Sequence, residues 1–146
     1  MTIPARSWSN MHAPDIDDPV TTLTVEATAP GDGEVQLCID GPDDVRLDCE
    51  RTAELIADLQ RRFAVIVWTG GSRIARPARG WPTAIPARRK TQLEISATTP
   101  DDSTIRLAVT DPTQALAVCL DPSQARDLIA EIQARLPVID PAGESL

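Results

Sequence analysis

The chain has no tyrosine, a single phenylalanine (Phe63), a single lysine (Lys90) and a single histidine (His12). One lysine beside thirteen arginines and the absence of tyrosine follow a GC-rich host genome, whereas the single histidine bears on mechanism. His12 lies in the N-terminal tail, from which a Ser-His-Asp or Cys-His arrangement would have to recruit it, so nucleophilic catalysis is not expected. Cys38, Cys49 and Cys119 are an odd count and show no ligand-pair spacing, which argues against a zinc site and a disulfide framework. Cys49 falls at a helix start, where a thiol can be activated. Its repeat counterpart is Pro122, so a packing role is expected. No apolar run approaches the ~20 residues of a membrane span. The first twenty residues lack the apolar centre of a signal peptide and end in acids, which predicts a cytoplasmic protein. Thr69–Ser72 reads TGGS after an apolar run but lacks the lysine and spacing of a phosphate loop. Asp43–Asp44 and Asp101–Asp102 sit in turn signals without calcium-loop spacing. No cofactor, no metal and no enzymatic activity are expected.

What the sequence does contain is itself, twice. LDCERTAELIADLQRRF (47–63) and LDPSQARDLIAEIQARL (120–136) are nearly the same segment. At an offset of 70, Leu23, Ala27, Thr28, Pro30, Asp32, Leu37 and Pro42 recur as Leu93, Ala97, Thr98, Pro100, Asp102, Leu107 and Pro112. A three-residue insertion near Thr113–Ala115 shifts the offset to 73. Val45, Leu47, Asp48, Leu55, Ile56, Ala57, Gln60 and Arg62 then recur as Val118, Leu120, Asp121, Leu128, Ile129, Ala130, Gln133 and Arg135. Fifteen identities in forty aligned positions point to an internal duplication.

Each copy reads as three strands and a helix. TLTVEAT alternates, placing Leu23, Val25 and Ala27 on one face. APGDGE and TPDDST are hairpin turns. VQLCID and IRLAVT alternate again, and VRL and LAVCL are short third strands. Asp121 is placed to cap a helix with Pro122 at its first position. Ala125, Leu128, Ile129, Ile132 and Leu136 form its apolar stripe, and Pro137 is expected to stop it. Thr52, Leu55, Ile56, Leu59 and Phe63 form the stripe of the first helix. One unit is too small to stand alone, so two should share a core. The expected fold is α+β: a tandem βββα repeat with pseudo-twofold symmetry, one antiparallel sheet and both helices on one face. The expected boundaries are a disordered or extended tail over 1–20, repeat units over 21–66 and 91–139, a linker or arm over 67–90, and a C-terminal tail over 140–146.

The segment between the copies carries the unusual charge. Residues 64–90 hold five arginines, one lysine and no acid, whereas the whole chain has a net charge of −8. Two roles suit this arm. It can tie the acidic units together, or it can bind nucleic acid or an acidic protein with Arg73, Arg76, Arg79, Arg88, Arg89 and Lys90, with Trp68 and Trp81 as stacking or anchoring groups.

LEISATTPDDSTIRLAV and the L-x-P-x-x-A-x-x-L helix of LDPSQARDLIAEIQARL resemble modules in small actinobacterial and actinophage proteins of unknown function. The resemblance covers about two-thirds of the chain and implies a domain type and a host lineage. Such families carry a Cys/His segment upstream of the module; this chain has none, so no metal role carries over. The expected function is a non-enzymatic interaction or regulatory protein, monomeric or homodimeric, whose partner is another protein. The alternatives are a nucleic-acid-associated protein using the arm, and an acidic decoy of a DNA-binding partner.

Overall fold

Alternating residues become strands and the 3.6-period stripes become helices, in the order the sequence implies. A computed structural model describes residues 2–9, 21–40, 44–67, 75–84, 91–112 and 115–139. The strands are β1 (Arg6–Ser9), β2 (Thr22–Val25), β3 (Val35–Ile39), β4 (Asp44–Leu47), β5 (Arg79–Pro82), β6 (Gln92–Ile95), β7 (Ile105–Thr110) and β8 (Ala115–Leu120). The helices are α1 (Cys49–Val67), after β4, and α2 (Pro122–Ile139), after β8. The protein is therefore α+β, with two antiparallel four-stranded sheets ordered β1-β2-β3-β4 and β5-β6-β7-β8.

Two expectations need correction here. Among the described residues, each half has four strands rather than three, and the sheets are two rather than one. The extra strand of the first half, β1, lies in the segment read as an N-terminal tail. It pairs with β2, setting Trp8 opposite Leu23. The extra strand of the second half, β5, lies in the segment read as the arm. It pairs with β6, setting Trp81 opposite Leu93. The ladder breaks between the sheets because a side chain takes the place of a strand partner. Arg46 N–H donates to Thr83 Oγ1 at 3.0 Å, and only Ala84 N–H continues the backbone pattern, to Arg46 O at 2.8 Å. The other two sheet edges also meet. There Thr21 Oγ1 donates to Ala117 O at 2.6 Å.

Inward strand residues form one core with both helix stripes: Leu23, Leu37, Leu93 and Leu107 meet Leu55, Leu59, Leu128 and Ile132. The two helices pack against each other, and α2 lies against β3 as well as β8. Ala27 and Ala97 do not continue the inward face. The strands end at Val25 and Ile95, and the chain shifts phase so that Thr28 and Thr98 are buried and the alanines exposed. Thr28 then bridges Ile3, and Thr98 bridges Arg76.

The helix starts follow their caps. Arg51 N–H donates to Asp48 Oδ1 and Gln124 N–H to Asp121 Oδ1, and Gln124 Oε1 accepts in return from Asp121 N–H. Pro137 does not stop α2. It is exposed, and the helix continues over it to Ile139, which is buried in the core. One missing amide bond at the final turn is outweighed by that burial. Between β2 and β3 the turn needs positive φ at Gly31 and Gly33. Asp32 closes this turn by accepting from Ala29 N–H, as Asp102 does from Thr99 N–H in the second half.

Candidate functional site

The expected site residues fall into two groups. Trp68, Arg73, Arg88, Arg89 and Lys90 lie outside the described residues. Arg76, Arg79 and Trp81 lie within them, and Arg79 and Trp81 face α1. The Arg79 guanidinium stacks on Trp81 at 4.8 Å from the ring centroid and pairs with Glu54 of α1 at 3.0 Å. Trp81 is buried and donates Nε1–H to the same Glu54 carboxylate at 3.2 Å. Arg76 hydrogen-bonds through its backbone to Thr98, while its buried Nε lacks a partner.

The first sheet repeats this arrangement with the other helix. Arg6 lies over Trp8 at 5.3 Å and pairs with Asp127 and Glu131 of α2. Each helix therefore docks on the edge strand of the half to which it does not belong. Two buried arginines strengthen the exchange. Arg62 of α1 is 1% exposed, donates to Asp58 at 2.6 Å, and reaches Ser96 O, Thr98 Oγ1 and Pro77 O of the second half. Arg135 of α2 is fully buried, pairs with Glu131 at 2.8 Å, and reaches Pro4 O and Glu26 O of the first. A guanidinium can be buried this way because its five donors meet carbonyls and a carboxylate. The hydrogen bond from Arg135, with Arg6 behind it, holds the Glu131 carboxyl below its ordinary range.

Sequence reasoning missed β1, β5 and the roles of both buried arginines, although the signal was present. PARSW (4–8) and PARGW (77–81) are offset by 73, the offset of the helices. The same offset relates Arg62 to Arg135, and Glu54 to Asp127.

The outward sheet faces carry polar side chains. On the first sheet, Ser7 bonds Thr24 and Ser9 bonds Thr22 through their hydroxyls. Cys38 lies beside Glu26, and burial, with help from Glu26, Asp44 and Asp40, pushes its thiol pKa up to about 11. That thiol is protonated at neutral pH and is a poor nucleophile. Cys49 packs near Ile139 O at 3.5 Å. Among the described residues, no group of three His, Cys, Asp or Glu side chains is arranged to hold a metal ion. None of the described helices is long and apolar enough to cross a membrane. On the second sheet, a groove of about 350 Å³ runs over Gly80, walled by Arg79, Gln92, Glu94 and Ser96.

The chain matches no protein-family model and no curated protein. The geometry therefore carries the functional argument alone. The described arginine–tryptophan pairs are engaged internally, and the outward sheet faces present mostly small polar side chains.

Proposed function

We propose that this is a non-enzymatic interaction protein of the cytoplasm that meets another protein through an outward sheet face. It is built from two copies of one four-strand-plus-helix unit related by an approximate twofold rotation, with both helices on the inner side of the sheets. The matching sequence offsets and the paired Arg62 and Arg135 clamps support the duplication. One observation carries the functional reading: Arg79 and Trp81, the arm residues best suited to stack on and neutralise a nucleic acid, are instead spent on Glu54 and the docking of α1. The sheet edges face one another, so strand addition there is hindered and the faces are left as the contact surface.

A photo-crosslinking amino acid at Thr24 or Arg106, on the outward faces of β2 and β7, should give discrete adducts with another protein in host cells. The same group at Ala53, on an exposed helix face, should give none. No adduct from either sheet position counts against the reading. So does tight, salt-sensitive binding to DNA or RNA in fluorescence anisotropy at physiological ionic strength, lost when Arg88 and Arg89 become alanine.

A further inference from the structure

The slot that holds β1 is lined by one face of α2. Gln124, Asp127, Glu131 and Arg135 follow one another three or four residues apart, and all four reach β1 or the residues just before it. Arg135 donates to Pro4 O at 2.6 Å, Asp127 and Glu131 take the Arg6 guanidinium, and Gln124 Nε2 donates to Ser9 O at 2.8 Å. Helix and strand run antiparallel and in step. From Gln124 to Arg135 a helix rises about 16 Å, and from Pro4 to Ser9 an extended chain covers about the same length. Two side chains of β1 are read: Arg6 by the carboxylates, and Trp8 by the core, opposite Leu23. The end contacts go to main-chain carbonyls, which every residue has. The slot therefore suits an extended segment with arginine two residues before an aromatic ring.

The resident strand fills it imperfectly. Trp8 is 6% exposed, yet its Nε1–H has no partner. In the other half the equivalent Trp81 Nε1–H reaches Glu54. The Arg6 ion pairs are open to solvent and hold weakly. A donor buried without a partner regains water when its strand leaves. Tethering differs too: β5 is joined on both sides to elements of the fold, α1 and β6, whereas β1 is joined to β2 through residues 10–21.

We propose that β1 is a built-in ligand of a peptide-binding slot between α2 and β2, and that a partner protein displaces it with an extended segment carrying arginine two residues before an aromatic ring. The segment takes the place of β1 on the β2 ladder. Displacement differs from addition at the facing sheet edges, because one strand leaves as another enters. A second copy of this chain would bring the same unpaired N–H, whereas a partner's phenylalanine brings none. The slot lies apart from the outward faces, and the inference does not rest on the reading above.

A fluorescein-labelled peptide of residues 2–9, TIPARSWS, is the probe, followed by anisotropy against the full chain at physiological ionic strength. Because β1 competes, apparent affinity scales with the fraction of open slots. Arg6→Ala in the chain weakens the competitor and should tighten peptide binding about tenfold. Alanine in place of the peptide's arginine should weaken binding about tenfold, and phenylalanine in place of its tryptophan should change it less than about twofold, since the smaller ring loses area but leaves no unpaired donor. A lock supplies the control. The Ser7 and Thr24 hydroxyls lie 2.9 Å apart, so Ser7→Cys with Thr24→Cys, in a chain whose own three cysteines are serine, can pin β1 to β2 by a disulfide. The oxidised chain should bind the peptide at least about tenfold more weakly than the same chain reduced. Equal binding in the two states would overturn the slot. So would the absence of saturable binding to the Arg6→Ala chain, a result that needs no cysteine variant to fold. Disulfide-linked dimers of the lock variant would put a second copy in the slot and overturn the partner assignment. None of these results touches the outward-face reading, which fails on the crosslinking and nucleic-acid outcomes.

Discussion

Trp8 and Trp81 occupy equivalent places and differ by one hydrogen bond. Trp81 Nε1–H reaches Glu54, whereas Trp8 Nε1 is buried without a partner. The residue matching Glu54 is Asp127, one methylene shorter, and its carboxylate is held by Arg6. Trp81→Phe should therefore lose ~1–2 kcal/mol in a urea titration, while Trp8→Phe should be close to neutral. The buried arginines differ in a related way. Asp58 is 3% exposed at its side chain and Glu131 is 24% exposed. Arg62→Ala leaves a buried carboxylate unpaired and should cost ~3–5 kcal/mol. Arg135→Ala should cost less, because water can reach Glu131. Lysine should rescue neither, since it cannot reproduce three directed contacts from one planar group.

At the scale of elements, the helices and central strands were legible in the sequence, and the edge strands were not. The stripe from Thr52 to Leu59 and the caps at Asp48 and Asp121 are short-range patterns that local physics dictates. Leu59→Ala and Ile132→Ala should each lose ~2–5 kcal/mol, since both side chains are fully buried. Losses below ~0.5 kcal/mol for both would mean that neither stripe packs as described. By contrast, β1 and β5 are four residues each, contain proline or serine, and alternate only around one tryptophan. Their strand character comes from pairing with β2 and β6 and from the helix that clamps them, which are long-range effects. The Gly80 groove was hidden for the same reason: it exists only once β5 lies beside β6. Arg62 and Arg135 sat on the apolar stripe in the sequence, yet an arginine there ordinarily marks a solvated flank. Their burial depends on carbonyls from the opposite half.

For the molecule as a whole, each half is completed by the helix of the other, so the two sheets should melt together. Helix circular dichroism and tryptophan fluorescence should give coincident transitions, and Leu59→Ala should shift both equally. The ion pairs that dock α2 also set an acid limit. Glu131 has a lowered pKa in the fold, so its stabilising share is present above the unfolded value and is lost as pH falls through the folded value. Thermal melts between pH 7 and pH 3 should show this decline, and Glu131→Gln should flatten part of it. The exchanged helices also bear on synthesis at the ribosome. The first sheet emerges well before α2, the helix that covers it, and α1 emerges before the strands it clamps. Leu23, Leu37 and Ile39 are therefore expected to stay uncovered until Ile132 has left the ribosome. Nascent chains arrested with α2 still inside the ribosome should be open to protease, and chains extended so that α2 has emerged should resist it.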